Sequence, residues 1–202
     1  MKIKSAKFIT SVADYEKLPA LIAPEIAVAG KSNVGKSSFI NMLANINRLA
    51  KTSSTPGRTR LLNYFDINNG ELTLVDLPGY GYAKVNDAEK EKWSELIEGY
   101  FAKSQNIVNV FVLVDVRHEP TALDRQMVAY LHHYNIPFTL IATKGDKLSK
   151  AQIQKQKSVI AKTFAVTPAN IYVTSALNKS GINEVLERIE NILSANKEEV
   201  VF

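Results

Sequence analysis

Eight consecutive residues, Gly30-Lys31-Ser32-Asn33-Val34-Gly35-Lys36-Ser37, have the types and spacing needed to hold a nucleotide's phosphates. They follow G-x-x-x-x-G-K-[ST]. Its two glycines let the backbone curl so that successive N–H groups turn inward as an anion nest. A helix starting here adds the positive end of its dipole. Lys36 supplies a point charge for the β- and γ-phosphates, and the Ser37 hydroxyl suits one position around Mg²⁺. The flanks agree: Glu25 to Ala29 reads as a short buried strand, and Ser38 to Leu43 has apolar residues at helical spacing.

Further along, Asp76-Leu77-Pro78-Gly79 places a carboxylate at the end of a strand, where it can hold a Mg²⁺-bound water. The glycine three residues later can offer its N–H to a terminal phosphate. Two more short segments, Thr143-Lys144-Gly145-Asp146 and Ser175-Ala176-Leu177, likewise follow apolar strands. In an open parallel sheet, ligands bind beyond the carboxyl ends of the strands.

The remaining pattern supplies the elements that would position these loops. Leu61 to Ile67 and Glu71 to Val75 read as two strands joined by the hairpin signal Asn68-Asn69-Gly70. Ile107 to Val114 is a near-continuous apolar run, as expected of a strand buried on both faces. Phe138 to Ala142 and Ile171 to Thr174 complete the strands. A helix capped by Asn86 or Asp87 buries Trp93, Leu96, Ile97, Tyr100 and Phe101. A second opens with Thr121-Ala122-Leu123-Asp124 and turns Leu123, Met127, Tyr130, Leu131 and Tyr134 inward. His132 and His133 on it read as a solvated face.

Ser149 caps a third helix, carrying Ile153, Ile160 and Phe164; its Lys150, Lys155, Lys157 and Lys162 also read as a solvated face. The closing helix turns Ile182, Val185, Leu186, Ile189, Ile192 and Leu193 to one side, and Lys197 to Phe202 is expected to fray. Near the start, Phe8-Ile9-Thr10 is a short strand candidate and Ser11 a cap for a turn through Tyr15. The alternation predicts an α/β fold with a mostly parallel six-stranded sheet, one antiparallel hairpin strand and helices on both faces. Residues 1–24 form an extension packed on a 25–195 domain, with 196–202 as a tail.

The 202 residues suffice for one domain with a full-sized core. No cysteine is present, which excludes disulfides, thiolate-ligated zinc and thiol catalysis. Nothing at the start resembles a signal peptide, and no apolar run reaches membrane-spanning length. These features predict a cytoplasmic chain without a membrane partner. The net charge of +5 suits a polyanionic partner without requiring one.

Taken in order, the loops resemble those of the GTPase class of P-loop proteins, across nearly the whole chain. The finer resemblance is to the bacterial EngB family, within the group that includes Era and EngA. It is carried by Gly30 to Ser38, by Thr55-Pro56-Gly57-Arg58-Thr59, and by Asp76-Leu77-Pro78-Gly79-Tyr80-Gly81-Tyr82-Ala83. The resemblance implies a monomeric GTPase acting in assembly of the large ribosomal subunit, with links to normal cell division and septation. It also implies that Asp146 takes both guanine N–H groups, which adenine lacks. The Lys144 stem lies along the base, and backbone at Ser175-Ala176 meets the guanine O6. Nucleotide contacts then fall on Gly30, Lys31, Ser32, Asn33, Val34, Gly35, Lys36, Ser37 and Ser38. The others are Gly57, Arg58, Thr59, Arg60 and Leu61, then Asp76, Leu77, Pro78 and Gly79, then Thr143, Lys144, Gly145 and Asp146 with Thr174, Ser175 and Ala176. Mg²⁺ falls to Ser37, Thr59 and, through water, Asp76.

Thr59 matches the switch threonine that closes over the metal and γ-phosphate only in the triphosphate state. Arg58 and Arg60 beside it are candidates for stabilising charge on the transferring phosphoryl group or for touching RNA. Asn33 stands where K⁺-dependent members of the wider group place a cation-coordinating asparagine. Two departures matter. Thr143 replaces the commoner Asn and offers fewer bridges to the phosphate loop. Tyr80 replaces the Gln that orients water in signalling GTPases, which implies slow intrinsic hydrolysis.

Two other readings fit parts of the chain. A signalling switch binding protein effectors is disfavoured by Tyr80 and by the missing lipidation signals, a C-terminal cysteine and a Met-Gly start. A small-molecule kinase would need an acceptor pocket and has no use for Thr143-Lys144-Gly145-Asp146.

Overall fold

The computed structural model describes residues 1–50, 61–81 and 87–199. Their seven strands form one sheet: β1 (Ala6–Val12), β2 (Glu25–Gly30), β3 (Leu62–Ile67), β4 (Leu72–Asp76), β5 (Ile107–Asp115), β6 (Phe138–Thr143) and β7 (Ile171–Val173). The order across the sheet is β1-β3-β4-β2-β5-β6-β7. The pairs β4–β2, β2–β5, β5–β6 and β6–β7 are parallel, and β3 runs antiparallel to both its neighbours.

Among the described residues, five α-helices cover the sheet: α1 (Lys36–Ala44), α2 (Asp87–Lys103), α3 (Ala122–His133), α4 (Lys150–Phe164) and α5 (Ile182–Glu199). One face packs α2, α3 and α4 through Ile97, Tyr100, Met127, Leu131, Ile160 and Phe164. The other packs α1 and α5 through Phe39, Ile40, Val185 and Ile189. The central strands β2 and β5 lie between these layers, so each must be apolar on both sides. Ile26, Val28, Phe111 and Leu113 meet one core while Ala27, Ala29, Val110 and Val112 meet the other.

Local chemistry sets the helix starts. The predicted capping box of Thr121 with Asp124 is present on α3, and the predicted cap Ser149 on α4 forms a second box with Gln152. The hairpin is also present: Asn68, Asn69 and Gly70 all have positive φ, the conformation that Asn and Gly tolerate best.

Several expectations change. The sheet has seven strands rather than six, because the amino-terminal segment pairs along its length with β3 as an edge strand. Its side chains are mostly exposed, so it lacks the apolar run that marks an inner strand. Ser11 therefore lies in β1, donating to Asn63 Oδ1 at 2.6 Å, and Asp14 caps the 3-10 turn Tyr15–Lys17 instead. The Asn68 side chain also ties down residues 2–5, accepting from Lys4 N and donating to Lys2 O. Leu123, in the first turn of α3, is exposed rather than turned into the core, and its Cδ1 lies beside Gly81. Trp93 is half-buried, Asp87 is the first helical residue of α2, and Asn86 lies outside the described residues. The last helix runs on to Glu199, beyond the expected start of fraying.

Candidate functional site

The loops after β2, β4, β6 and β7 meet along the carboxyl rim of the sheet. Between Gly30 and Ser37 the chain leaves β2, turns through Asn33 with φ 65° and Gly35 with φ 106°, and enters α1. A side chain is strained at such a φ as Gly35 has, which explains the glycine there. Two loop N–H groups serve the protein itself: Ser32 donates to Tyr80 O at 2.8 Å and Val34 to Lys31 O at 3.1 Å. Those of Asn33, Gly35, Lys36 and Ser37 have no such partner among the described residues and face the helix start. The Ser32 hydroxyl oxygen is buried and unpartnered, a polar atom left over at the loop. The donor set therefore fits phosphate.

Asp76, at the end of β4, is buried and pairs with the Lys36 ammonium. This brings the cation of the phosphate loop and a strand-end carboxylate into direct contact. The next residues stay close: Tyr80 N donates to Gly30 O at 3.4 Å, and Lys31 and Tyr80 form a parallel bridge. Gly79 lies against Ser32, where an added Cβ would approach the Ser32 hydroxyl to 3.3 Å.

The Tyr80 ring points into the core. Its hydroxyl donates to Asp124 Oδ1 at 2.8 Å, and its ring meets Trp93 edge-on at 6.0 Å. Trp93 Nε1 in turn donates to Pro78 O at 3.0 Å. Burial, and then the Asp124 charge, push the Tyr80 phenol far above its usual range, so it stays protonated.

At the other end of the rim, Thr143 Oγ1 lies 2.7 Å from Val34 O and donates to it, keeping one bridge to the phosphate loop. Lys144 Nζ reaches Asn33 O and Asp115 Oδ2, each at 2.9 Å. Arg117 holds the same carboxylate through Nε and Nη2. Burial pushes the Asp115 carboxyl up, but hydrogen bonds from Arg117 and Lys144 outweigh it and hold the group well below the usual carboxylate range. Ser175 Oγ donates to Asp146 Oδ1 at 2.5 Å and Lys147 lies 3.3 Å from Oδ2. The Ser175 bond leads in keeping Asp146 ionised below its usual range.

Between Asp146 and α1 is a cavity of about 230 Å³, lined by Val34, Phe39, Lys144, Asp146, Ala176 and Leu177 among others. A larger space of about 570 Å³ opens at the foot of β6 and β7, between Phe138, Tyr172 and Arg188. It is remote from every loop above, so the smaller cavity is the one that chemistry points to.

Comparison with known proteins decides what this rim is. A family model described as "50S ribosome-binding GTPase" matches residues 25–144. A protein of Clostridioides difficile (strain 630), "Probable GTP-binding protein EngB", is 46% identical over 192 residues, covering 95% of this chain and 94% of the relative. The chain belongs to the EngB family of GTP-binding proteins. EngB proteins are GTPases, and this chain is one by descent and by fold.

Solved structures agree on the fold. "Crystal structure of a probable GTP-binding protein engB" superposes with a TM-score of 0.71 at 23% identity, covering 85% of this chain and 99% of that one. The structure of Era with MgGDPNP and a segment of 16S ribosomal RNA gives 0.65 at 23% identity, covering 84% and 56%. The EngB fold gathers Gly30 to Ser38, Asp76 to Gly79, Thr143 to Asp146 and Thr174 to Ala176 on one rim. Leu61 stands at the entry to β3. Gly57, Arg58, Thr59 and Arg60, with Thr55, Pro56, Tyr82 and Ala83 of the same motifs, lie outside the described residues.

Three features of this EngB rim escape a reading of separate loops. Asp115 and Arg117 complete the lysine's surroundings, and the available signal was a carboxylate at the end of an apolar strand. Asn41 clasps Ala50, donating to its carbonyl and accepting from its N–H. Asp124 serves two loops at once, Thr121 and Tyr80.

Proposed function

We propose that this chain is a guanine-nucleotide switch that hydrolyses GTP in the cytoplasm of a bacterium. Its work is assembly of the large ribosomal subunit, with links to cell division and septation. The observation that carries the ribosomal part is the match of residues 25–144 to GTPases described as binding the 50S particle. Era, a fold neighbour, has been solved with ribosomal RNA, which supports the same partner class.

We read the roles of its residues as follows. N–H groups of Asn33, Gly35, Lys36 and Ser37, with Ser38 behind them, cradle phosphate oxygens, and Lys36 extends from Asp76 toward the β- and γ-phosphates. Gly79 offers its N–H to the γ-phosphate. Asp146 accepts from guanine N1 and N2, with Lys144 alongside the base. Ser180 O already takes the Ser175 N–H, so the donor to guanine O6 falls to Ala176. Gly30, Lys31, Ser32, Val34, Leu77, Pro78, Thr143, Gly145 and Thr174 shape these loops.

Ser37 and, through water, Asp76 are hard oxygen donors that fit Mg²⁺, with Thr59 as the third. When bound, the ion neutralises charge building on the phosphates. Hydrolysis adds water to the γ-phosphorus and breaks its bond to the β-phosphate oxygen. Tyr80 takes no part because its ring is in the core, so intrinsic hydrolysis is slow. Arg58, Thr59 and Arg60 are the residues we place against the transferring group.

K⁺ beside Asn33 belongs to the same reading, and equal hydrolysis rates in K⁺ and Na⁺ would remove it. The main test is sedimentation of the monomeric chain with purified large subunits, in GDP and in a non-hydrolysable GTP analogue. Tighter binding in the analogue is the expected result. No association in either state would overturn the ribosomal role. GTP-dependent capture of a protein effector instead would favour the signalling reading.

A further inference from the structure

Charge is divided unevenly among the helices on the α2–α3–α4 side of the sheet. Helix α2 mixes signs, and Lys90 there pairs with Asp87 at 2.8 Å. Helix α4 carries Lys150, Lys155, Lys157 and Lys162 and no acidic residue. Between Asp146 and Glu184 the chain has six lysines and no carboxylate side chain at all. None of the four α4 lysines has an ion-pair partner among the described residues.

These lysines do little for the helix. Without acidic neighbours there are no i,i+4 pairs to gain. Lys150 occupies the first turn, where a cation opposes the helix dipole, and only Lys162 sits at the favourable end. Lys155 and Lys162 are seven residues apart on the exposed side, roughly 10 Å along the axis. Lys147, just before this helix, lines the base cavity and pairs with Asp146 at 3.3 Å, so the unpaired lysines begin with α4 itself.

We propose that the outer face of α4 is an RNA-docking surface that grips phosphates in either nucleotide state. This rests on the ribosomal reading above and names a surface for it that is separate from the switch loops. Lysines interspersed with Gln152, Gln154 and Ser158 suit a sugar–phosphate backbone, which offers both charge and hydrogen-bonding groups. A lipid surface would also call for apolar side chains to insert, and the exposed residues of α4 supply only Ala151. Lying near the β7 edge, α4 is also across the width of the sheet from β3 and β4. Its grip therefore does not depend on the γ-phosphate.

The test is a salt titration of sedimentation with purified large subunits, comparing wild type with the double variant Lys155→Ala/Lys162→Ala. Each lost phosphate contact should make the log–log salt slope shallower by roughly 0.7–0.9, and affinity should fall by the same factor in GDP and in the GTP analogue. Both side chains are exposed, so the thermal midpoint and subunit-free GTP hydrolysis should not move. The control pair Lys90→Ala/Lys92→Ala on α2 should bind as wild type does. An unchanged slope, a loss confined to the GTP state, or an equal loss in the control would overturn the α4 surface while leaving the ribosomal role standing. Failure of the wild type to bind subunits would sink both. Capture by phosphatidylserine vesicles that needs Lys155 and Lys162, with subunit binding unaffected, would reassign the face to membrane.

Discussion

At the base end of the rim, side chains do the fastening. Thr143 and Lys144 bind the phosphate loop directly, Asp115 and Arg117 hold Lys144 from β5, and Ser175 after β7 holds Asp146 after β6. At the phosphate end the fastening is mostly backbone. Ser32 and Tyr80 pair as if the strands continued, and only the Lys36–Asp76 pair adds charge. Side-chain contacts there point inward, from Tyr80 to Asp124 and from Trp93 to Pro78. The base end is thus preorganised to choose a ligand. The phosphate end is anchored from behind, which in the proposed reading leaves its outward groups for chemistry that changes when the γ-phosphate is lost. Choice of base should therefore be sensitive to single polar atoms, and hydrolysis should be insensitive to the Tyr80 hydroxyl.

The strongest way to sharpen this contrast is Asp146→Asn. Losing two charge-assisted hydrogen bonds should weaken GTP by roughly a hundredfold or more. The amide should accommodate a xanthine carbonyl, so XTP binding should rise. Competition between GTP and XTP checks this, and retained preference for GTP would mean that the base contact lies elsewhere.

Asp115→Asn should act more weakly, through Lys144. The lysine keeps Asn33 O but loses a charged partner, and GDP should dissociate roughly tenfold faster, a charge-assisted bond discounted for solvent screening. Stopped-flow release of a fluorescent GDP reads this directly. The sign with pH follows from the depressed Asp115 carboxyl. Its stabilisation is fully present above the unfolded value of about 3.9 and is lost as pH falls below it. The gap in thermal midpoint between wild type and variant should therefore be widest near neutrality and shrink below about pH 4. A gap independent of pH would show that the carboxylate is not held by its partners.

Smallest is Tyr80→Phe, which breaks the anchor behind the phosphate end. Asp124 keeps Thr121 but loses the phenol, so the cost should be about 1 kcal/mol. That corresponds to a fall of about 2–4 °C in midpoint for a chain of this size. Single-turnover GTP hydrolysis should be unchanged, because the hydroxyl faces the core. A lost rate with an unchanged midpoint would reverse the assignment and put Tyr80 at the reacting phosphate.

Much of the inner architecture was legible along the chain because its signals are local. A glycine-bearing loop between strand and helix, a buried apolar run at Ile107 to Val114, and the caps at Thr121 and Ser149 each report their own surroundings. The sequence by itself determined the α/β class, the mostly parallel sheet and the rim that the loops share. It marked Phe8 to Thr10 as a short strand but not the full span from Ala6 to Val12 or its place in the sheet, because an edge strand with exposed side chains owes its extent to the hydrogen bonds that β3 offers it.

Tertiary structure alone decided which polar groups meet. Asp115 lies 29 residues before Lys144, and Tyr80 lies 44 before Asp124; no spacing rule joins them. Parallel pairing of β5 with β6 places the first two side by side. The packing of α3 on the sheet brings the second pair together and turns the Tyr80 ring inward. Such pairings depend on strand register and on helix position over the sheet, which arise only when distant segments bury their apolar faces against one another.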